Sequence, residues 1–300
     1  MNFRSLVFLC LRWSGLPWLF RELFQRRVVT IVVYHDLSAA TASAHFRALQ
    51  ARYHIIALRD YLQARVENQF DQLPSKALIV TLDDGHRGNF DLLPVVRACG
   101  ITVTIFLCSG VVGTRRHYWW LETPSSARAQ DLKSLPDEDR LRALAEQGFQ
   151  DDREYDSRQS LSDAEIEEMK GTIDLQAHTI SHPILPECGE QKAWDEISGC
   201  KAALEERYGL RVSALAYPNG DYSSREVAML KAAGYTCGLT IQAGYNDAAT
   251  NLYQLRRIPL PDDATISEVL VKTAGVWGLR ERIFRRLSSS LRSKFHDSPR

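Results

Sequence analysis

The stretch Lys76–Asp83 reads KALIVTLD, and Asp84 and Gly85 follow it directly. Its centre is an apolar run without regular polar alternation, which predicts a strand buried on both faces, as in parallel sheets. Comparable runs lie at Val28–Tyr34 and Thr102–Cys108. The sequence therefore predicts an α/β fold around a parallel sheet.

The alternation of strands and helices continues further along the chain. Four more strands are predicted at Thr172–Ala177, Val212–Tyr217, Tyr235–Thr240 and Gln254–Ile258. Six or seven parallel strands joined by helices favour closure into a (β/α) barrel, and an open doubly wound sheet is the alternative. No GxGxxG motif follows any strand, so a dinucleotide site has no support.

Composition excludes several classes of protein. Of the 300 residues, 45% are hydrophobic and 25% are charged, which is typical of a soluble globular chain. The formal net charge of +0 argues against a protein that coats nucleic acid. The six cysteines are scattered without a CxxC pair, so neither a zinc ribbon nor a disulfide framework is predicted.

Charge divides the chain into three predicted parts. The N-terminal segment 1–27 has five arginines and one glutamate, and the C-terminal tail 276–300 has seven basic and two acidic residues. Both ends are amphipathic, so they either contact a membrane surface or cover the domain with solvated outer faces. The acidic body 28–275 is the predicted main domain, with a polar insertion at about 113–159. Without a clear export signal, we expect a cytoplasmic protein with peripheral contact at the inner membrane.

Polar side chains recur where the predicted strands end. The carboxyl ends of parallel strands face one crevice, so these groups should meet. The sequences concerned are Tyr34-His35-Asp36, Asp83-Asp84-Gly85-His86, His178 to His182, Tyr217-Pro218-Asn219 and Arg256-Arg257.

Two adjacent aspartates repel each other in a partly dry site unless a cation or a proton compensates. One of them, with His178 and His182, makes a ligand set that leaves open positions on a divalent ion, as in catalytic sites. The other aspartate could then take a proton from water. An Asp-Gly turn and structural histidines are the alternative interpretation.

Two motifs resemble those of the polysaccharide deacetylases (carbohydrate esterase family 4). Thr81 to Gly85 (TLDDG) is similar to the family's T-F-D-D-G, and His178 to Pro183 (HTISHP) is similar to H-[ST]-x-x-H-P. The stretches Tyr34-His35, Tyr217 to Gly220 and Leu255 to Pro259 resemble the branch found in bacterial exopolysaccharide biosynthesis. The resemblance implies a distorted parallel barrel and metal-dependent removal of acetyl groups from N-acetylated sugars.

The resemblance also implies roles for individual residues. Asp83 corresponds to the catalytic base, and Asp84, His178 and His182 to the ligands of the metal, usually zinc. The backbone amide of Asn219 would donate to the oxyanion. The neighbouring Tyr217 and Pro218 join this predicted substrate and oxyanion group.

Two family residues are missing. Ala216 stands where the R-x-P-Y motif has its arginine, and no histidine of an L-x-H motif occurs near Gly238–Ile241. Arg256 or Arg257 could partner Asp83 instead, and Arg256 is taken as the candidate. His35, or else His86, is the candidate general acid.

An aromatic cluster in the insertion, Tyr118-Trp119-Trp120, is either a platform for sugar rings, with Trp120 as the candidate contact, or an anchor to the barrel. The leading hypothesis is a deacetylase acting on an N-acetylhexosamine-containing glycan. The alternatives are an O-acetyl esterase, a deformylase or other amidase with the same site, and a catalytically impaired glycan-binding protein.

Overall fold

The structure of the protein, a computed structural model, describes residues 3–278. Its strands form one eight-stranded sheet. All seven predicted strands occur. Six are shorter than predicted, the last is shifted from the predicted Gln254–Ile258 to Ile258–Pro259, and the short strand β2 was not predicted. The strands are β1 (Val29–Tyr34), β2 (His54–Ile55), β3 (Ala77–Leu82), β4 (Val103–Leu107), β5 (Asp174–Ala177), β6 (Ala214–Ala216), β7 (Cys237–Leu239) and β8 (Ile258–Pro259).

Helices connect the strands and cover the sheet. Within residues 3–278 none of them is long and apolar enough to cross a membrane. They are α1 (Phe3–Trp13), α2 (Leu16–Phe24), α3 (Ala39–Gln50), α4 (Leu58–Val66), α5 (Leu93–Cys99), α6 (Ser126–Leu132), α7 (Asp137–Ala145), α8 (Asp163–Met169), α9 (Glu190–Tyr208), α10 (Ser224–Ala232) and α11 (Ile266–Thr273).

The strand order is β7-β6-β5-β4-β3-β1-β8, and every pairing between these strands is parallel. β2 pairs with the first residues of β3, on the edge that β4 occupies further along. All strands therefore end at the same side of the molecule, and the loops that follow them share that side.

The segment after Leu255 closes the sheet. The Leu255 N–H donates to the Gly238 carbonyl at 2.9 Å, and the Leu255 carbonyl accepts from the Thr240 N–H at 2.8 Å. Three residues later, β8 pairs with β1 at Val32 and Val33. One short segment thus joins the two outer strands, β7 and β1. This confirms the predicted distorted barrel and excludes the open doubly wound sheet.

Alternate strand residues pack on opposite faces of the sheet. Ile31 and Ile79 belong to an inner cluster, whereas Val32 and Val80 pack against the helices. Helix α4, which the sequence analysis did not identify, adds Tyr61 to the inner cluster. The barrel is therefore filled by side chains along most of its length, and the chemistry is confined to its carboxyl end.

Two terminal predictions have different outcomes. Helix α1 packs along α11, where Phe8 meets Val271 and Ala274. Most of the predicted C-terminal tail, from residue 279 onward, lies outside the described residues. The segment predicted as an insertion, at about 113–159, carries the two helices α6 and α7.

Candidate active site

The loops at the carboxyl end of the barrel have unusual backbone conformations. Asp84, Thr179 and His182 have φ angles of 76°, 66° and 56°, in the left-handed region that non-glycine residues rarely adopt. Asn219, after β6, has a φ of 55°. Four of the six such residues within 3–278 thus lie around one end of the barrel. Strain of this kind persists where the surrounding contacts hold it and is concentrated at functional sites.

Asp84 and two histidines bring three donor atoms together. Asp84 Oδ1 lies 3.3 Å from His178 Nε2 and 3.6 Å from His182 Nε2. One donor atom from each of the three side chains lies within 4.8 Å of the others, and all three side chains are buried. A single divalent ion can bind such a triangle and keep open positions for water and substrate.

The hydrogen bonding of these side chains fits a metal. His178 Nδ1 lies 2.8 Å from the Ala216 carbonyl, which only accepts, so Nδ1 carries a proton and the neutral ring presents a lone pair at Nε2. That lone pair faces Asp84 Oδ1, a buried oxygen that accepts no hydrogen bond from the described residues. The two lone pairs repel unless a cation or a proton lies between them. Two imidazoles and a carboxylate are ligands that zinc prefers.

Burial and charge set the protonation of these groups. Burial lowers the pKa of His182 to about 3, so its ring is neutral and able to bind a metal. Burial opposes ionisation of Asp84, but the close imidazoles of His178, His86 and His182 hold its pKa well below the ordinary value. Burial also disfavours a charged His178, yet the nearby carboxylates raise its pKa. A proton and a cation therefore compete for the position between His178 and Asp84.

His86 holds the second oxygen of Asp84. Its Nε2 lies 3.1 Å from Asp84 Oδ2, and its ring packs edge-on against Tyr118 with centroids 4.8 Å apart. The Tyr118 hydroxyl donates to the Asp84 backbone carbonyl at 2.9 Å. The insertion therefore helps to hold the strained aspartate, and His86 lies beside Asp84 as an orienting partner.

The loop that carries both histidines is held by residues distant in sequence. Glu196 of α9 is 1% exposed and accepts the backbone N–H groups of Ile180 at 2.8 Å and Ser181 at 2.9 Å. Trp119 Nε1 donates to the His182 carbonyl at 3.0 Å. Bonds between backbone donors and a buried carboxylate are strong, so the loop has little freedom to move the imidazoles apart.

Asp83 has a different environment. Arg257 Nη1 lies 2.7 Å from Asp83 Oδ1 and Nη2 lies 2.8 Å from Oδ2, and both side chains are buried. Burial pushes the pKa of Asp83 upward, but the Arg257 charge outweighs it and the pKa lies below its ordinary value. The selection of Arg256 was wrong. Successive side chains of an extended segment point in opposite directions, so Arg256 is exposed while Arg257 enters the barrel.

The turn after β6 clamps Asn219 through its side chain. Asn219 Oδ1 accepts from Lys133 Nζ at 2.8 Å, and Asn219 Nδ2 donates to Asp221 Oδ2 at 2.5 Å. A Cβ at Gly220 would lie 2.8 Å from the Ile241 backbone nitrogen, so the close approach requires glycine. These contacts fix the backbone of Asn219, whose amide is the predicted oxyanion donor.

The remaining predicted residues lie at different depths. Tyr217 is fully buried and its hydroxyl donates to the Tyr253 carbonyl at 2.9 Å, and Pro218 is buried as well. Both residues pack beneath the Asn219 turn and support it, and their contact with substrate stays a prediction. Trp120 is half-buried, with its ring centroid 4.2 Å from that of His182. His35 is exposed and directly follows β1.

Two supporting residues were missed by the sequence analysis. Glu196 lies on the buried face of α9, among Ala193, Ile197 and Cys200. A carboxylate at an apolar position of a helix is costly unless paired, and that spacing could have identified it. Lys133 gave no such signal, because it lies at the end of a short polar helix and meets Asn219 only in the fold.

A model of the family described as polysaccharide deacetylase matches residues 71–238, more than half of the chain. The chain belongs to the polysaccharide deacetylase family. The predicted family and the predicted enzyme class, a carbohydrate deacetylase, are thereby confirmed. The matched region includes both aspartates, both histidines and Asn219, but it ends before Arg257. No curated protein is similar enough in sequence to count as a relative.

Several solved structures share the fold of this deacetylase. The deacetylase PplD of Streptococcus pyogenes, in complex with acetate, is 18% identical, with a TM-score of 0.61 over 82% of this chain and 98% of that chain. IcaB from Ammonifex degensii is 19% identical, with a TM-score of 0.60 over 83% of this chain and 98% of that chain. The putative polysaccharide deacetylase BA0330 of Bacillus anthracis is 18% identical, with a TM-score of 0.58 over 82% and 69% of the two chains.

Proposed function

We propose that this deacetylase is a metal-dependent hydrolase that removes N-acetyl groups from N-acetylhexosamine units of a polysaccharide or its precursor. Its place in exopolysaccharide biosynthesis is part of the same proposal, on the resemblance of the Tyr34-His35 and Leu255 to Pro259 stretches to that branch. The observation that carries it is the division between two neighbouring carboxylates. Asp83 is paired with an arginine, whereas Asp84 faces two imidazoles.

Each carboxylate suits one task. A divalent ion held by Asp84, His178 and His182, zinc by the type of donors, would lower the pKa of water and polarise an acetamide carbonyl. Asp83 stays ionised and accepts the proton of the attacking water. Arg257 donates a hydrogen bond to each oxygen of Asp83 and so orients the carboxylate. Each oxygen keeps a second lone pair that can accept a proton.

The rest of the reaction uses groups on the neighbouring loops. Water oxygen bonds to the acetamide carbon, and the Asn219 backbone amide donates to the developing oxyanion. The C–N bond then breaks, and the nitrogen leaves as an amine with a proton from His35, the proposed general acid. Acetate and the free amino sugar are the products. Trp120 provides an aromatic face for a sugar ring beside His182.

Two observations weigh on the alternatives. The arginine missing from the third motif is supplied by Arg257, which removes one of the two reasons for a catalytically impaired glycan-binding protein. The solved structure of PplD contains acetate, the product expected here, in a protein of the same fold.

The test combines metal analysis with product analysis on the purified protein. We expect a bound divalent ion, and equal amounts of acetate and free amine from N-acetylglucosamine oligomers. A chelator should abolish turnover and added zinc should restore it. Acetate release from O-acetylated xylan alone would identify an esterase, and oligosaccharide binding by metal-loaded protein without acetate release would identify a binding protein. Either result would overturn the proposal.

A further inference from the structure

Helices α1 and α2 carry most of the large apolar side chains that are exposed in the described part of the chain. Eight of the eleven such side chains within residues 3–278 lie on these two helices, and the other three, Val66, Leu121 and Ile241, are scattered. An exposed apolar surface of this extent usually marks a site of interaction. The eight, defined here as the apolar face, are Phe3, Leu6, Trp13, Leu16, Trp18, Leu19, Leu23 and Phe24.

Helix α2 has its polar residues on the inside. Arg21 is 7% exposed and Gln25 is fully buried, whereas Trp18 is 61% and Leu23 is 63% exposed. Gln25 Nε2 donates to the Thr273 carbonyl at 2.7 Å, so the inward orientation is fixed by a buried hydrogen bond. A helix on a water-facing surface normally has the opposite arrangement. The apolar face is therefore built to meet an apolar environment.

Positive charge accompanies the apolar face. Residues 1–27 have five arginines and one glutamate. Arg27 is exposed, and Arg4 and Arg26 are exposed while pairing with Glu268 and Glu22. Trp277 packs on Phe8 of α1 with ring centroids 4.6 Å apart, so the chain leaves the described region beside these helices. The following residues 279–300 have seven basic and two acidic side chains. Residues 1–27 and 279–300 are both positively charged, so their mutual repulsion disfavours the second segment as a cover for the apolar face. Both segments favour an anionic partner.

We propose that the apolar face of α1 and α2 is a docking surface for an anionic lipid bilayer. The two helices lie in the plane of the interface, where the apolar side chains enter the acyl boundary and the arginines contact lipid phosphates. Tryptophan favours this depth because its ring is apolar and its N–H is polar, which suits Trp13 and Trp18. The apolar face and its arginines suit the inner membrane, which is the location predicted from the sequence.

The docking surface is separate from the catalytic loops. Glu22 of α2 pairs with Lys76 at 2.9 Å, and Lys76 precedes the amino end of β3, whereas Asp83 follows its carboxyl end. Six residues of strand separate these ends by roughly 20 Å. A docked molecule therefore keeps its strand-end site open, and changes in the apolar face should not alter turnover of a soluble substrate.

The test is co-sedimentation of the full chain with vesicles. Phosphatidylcholine vesicles are compared with vesicles that also contain roughly 30% phosphatidylglycerol. We expect binding to the anionic vesicles that weakens with salt, and at least about a tenfold loss of binding in the Trp18→Ser/Leu23→Ser variant. The matched control, Val66→Ser/Leu121→Ser, removes two exposed apolar side chains elsewhere and should bind like the wild type.

Three results would overturn the docking proposal. The wild-type protein could fail to bind anionic vesicles. Alternatively, the Trp18→Ser/Leu23→Ser variant could bind them as well as the Val66→Ser/Leu121→Ser control does. Sedimentation velocity could also show a dimer that this variant dissociates, which would assign the apolar face to a second copy. None of these results affects acetate release from soluble oligosaccharides, so the proposed function is tested independently.

Discussion

The candidate site has two halves, one around Asp83 and one around the adjacent Asp84. The negative charge of the two carboxylates is balanced in different ways. On one side, Asp83 forms a two-point ion pair with Arg257, and the charge is balanced within the protein. On the other, Asp84 Oδ1 is buried, accepts no hydrogen bond from residues 3–278, and lies within 3.6 Å of two imidazole nitrogens. Both carboxylates have lowered pKa values and are ionised at neutral pH.

The difference shows that the protein itself balances the charge of Asp83 but leaves the charge of Asp84 for a bound cation or a proton. A buried carboxylate oxygen that accepts no hydrogen bond is costly, and His86 binds only the other oxygen of Asp84, so a cation or a proton beside Oδ1 should stabilise this half. The Asp83 half needs neither and stays available for proton transfer. Substitutions in the two halves should therefore fail in different ways, and the following predictions use that contrast.

Asp84→Asn should have the largest effect. Loss of the anionic ligand should remove the bound metal and lower kcat/KM by at least about 10³-fold, because metal assistance contributes several kcal/mol to the barrier. Metal content and acetate release are the measurements. Asp174→Asn, which changes a partly buried carboxylate at the start of β5, should keep both. A fully active Asp84→Asn protein would show that this half holds no catalytic ion.

Arg257→Met should disable the other half without removing the metal. We expect kcat to fall about 10²- to 10³-fold because Asp83 loses its orientation. The free energy of unfolding should drop by about 3–5 kcal/mol, since the variant leaves a buried carboxylate unpaired. Arg256→Met changes the exposed neighbour and should leave both quantities near wild type. Loss of metal in Arg257→Met, or equal effects of the two variants, would contradict the division of the site.

The pH dependence of Arg257→Met should shift in a defined direction. The wild-type protein holds the pKa of Asp83 below its ordinary value. The stability from this ionised group is therefore present above about pH 4 and is lost as the pH falls through the folded pKa. Without the guanidinium, burial raises the pKa of Asp83, so the acidic limb of kcat/KM should move to higher pH. An unmoved acidic limb would mean that Asp83 is not the base.

His35→Ala should lower kcat about 10²-fold, the usual contribution of a general acid, with metal content unchanged. The loss should be smaller on substrates whose leaving group needs no proton, such as an activated acetyl ester. His54→Ala removes another exposed histidine, near the amino end of the sheet, and should have no effect. Undiminished turnover on N-acetylated oligomers would remove His35 from the mechanism.

Lys133→Met should have the smallest effect, about tenfold on kcat with little change in KM. Lys133 acts as a positioning residue, because its ammonium binds Asn219 Oδ1 and so steadies the oxyanion donor. Lys133→Arg keeps a cationic donor and should recover most of the activity. A change confined to KM would instead identify Lys133 as a substrate contact.

Much of the fold and the centre of the site follow from local sequence patterns. Continuous apolar runs such as Ala77–Leu82 mark strands that are buried on both faces. Ser162 and Glu165 form the capping box that their spacing predicts. Because parallel strands end at one side, Asp84 and His178 could be placed together before any contact was known.

The partners of these groups did not follow from the sequence. The sequence does not distinguish Arg256 from Arg257, because both are arginines after the same predicted strand. Only the register of the segment that closes the barrel directs Arg257 to Asp83. Tyr217 resembles a substrate contact in its motif, yet it is buried under the turn. Helix α4 is weakly amphipathic, so its part in the inner cluster depends on the barrel that surrounds it.

The amino-acid sequence alone determined the parallel α/β architecture, the carboxylates and imidazoles at the strand ends, and the basic, apolar character of the N-terminal segment. Only the tertiary structure decided which arginine balances Asp83, which loops Glu196 and Lys133 hold in place, and that α2 turns its apolar side outward. Strand and helix patterns depend on neighbours a few residues apart. Charge pairing and burial depend on groups far apart in the chain, 174 residues in the case of Asp83 and Arg257, and these meet only after the barrel closes.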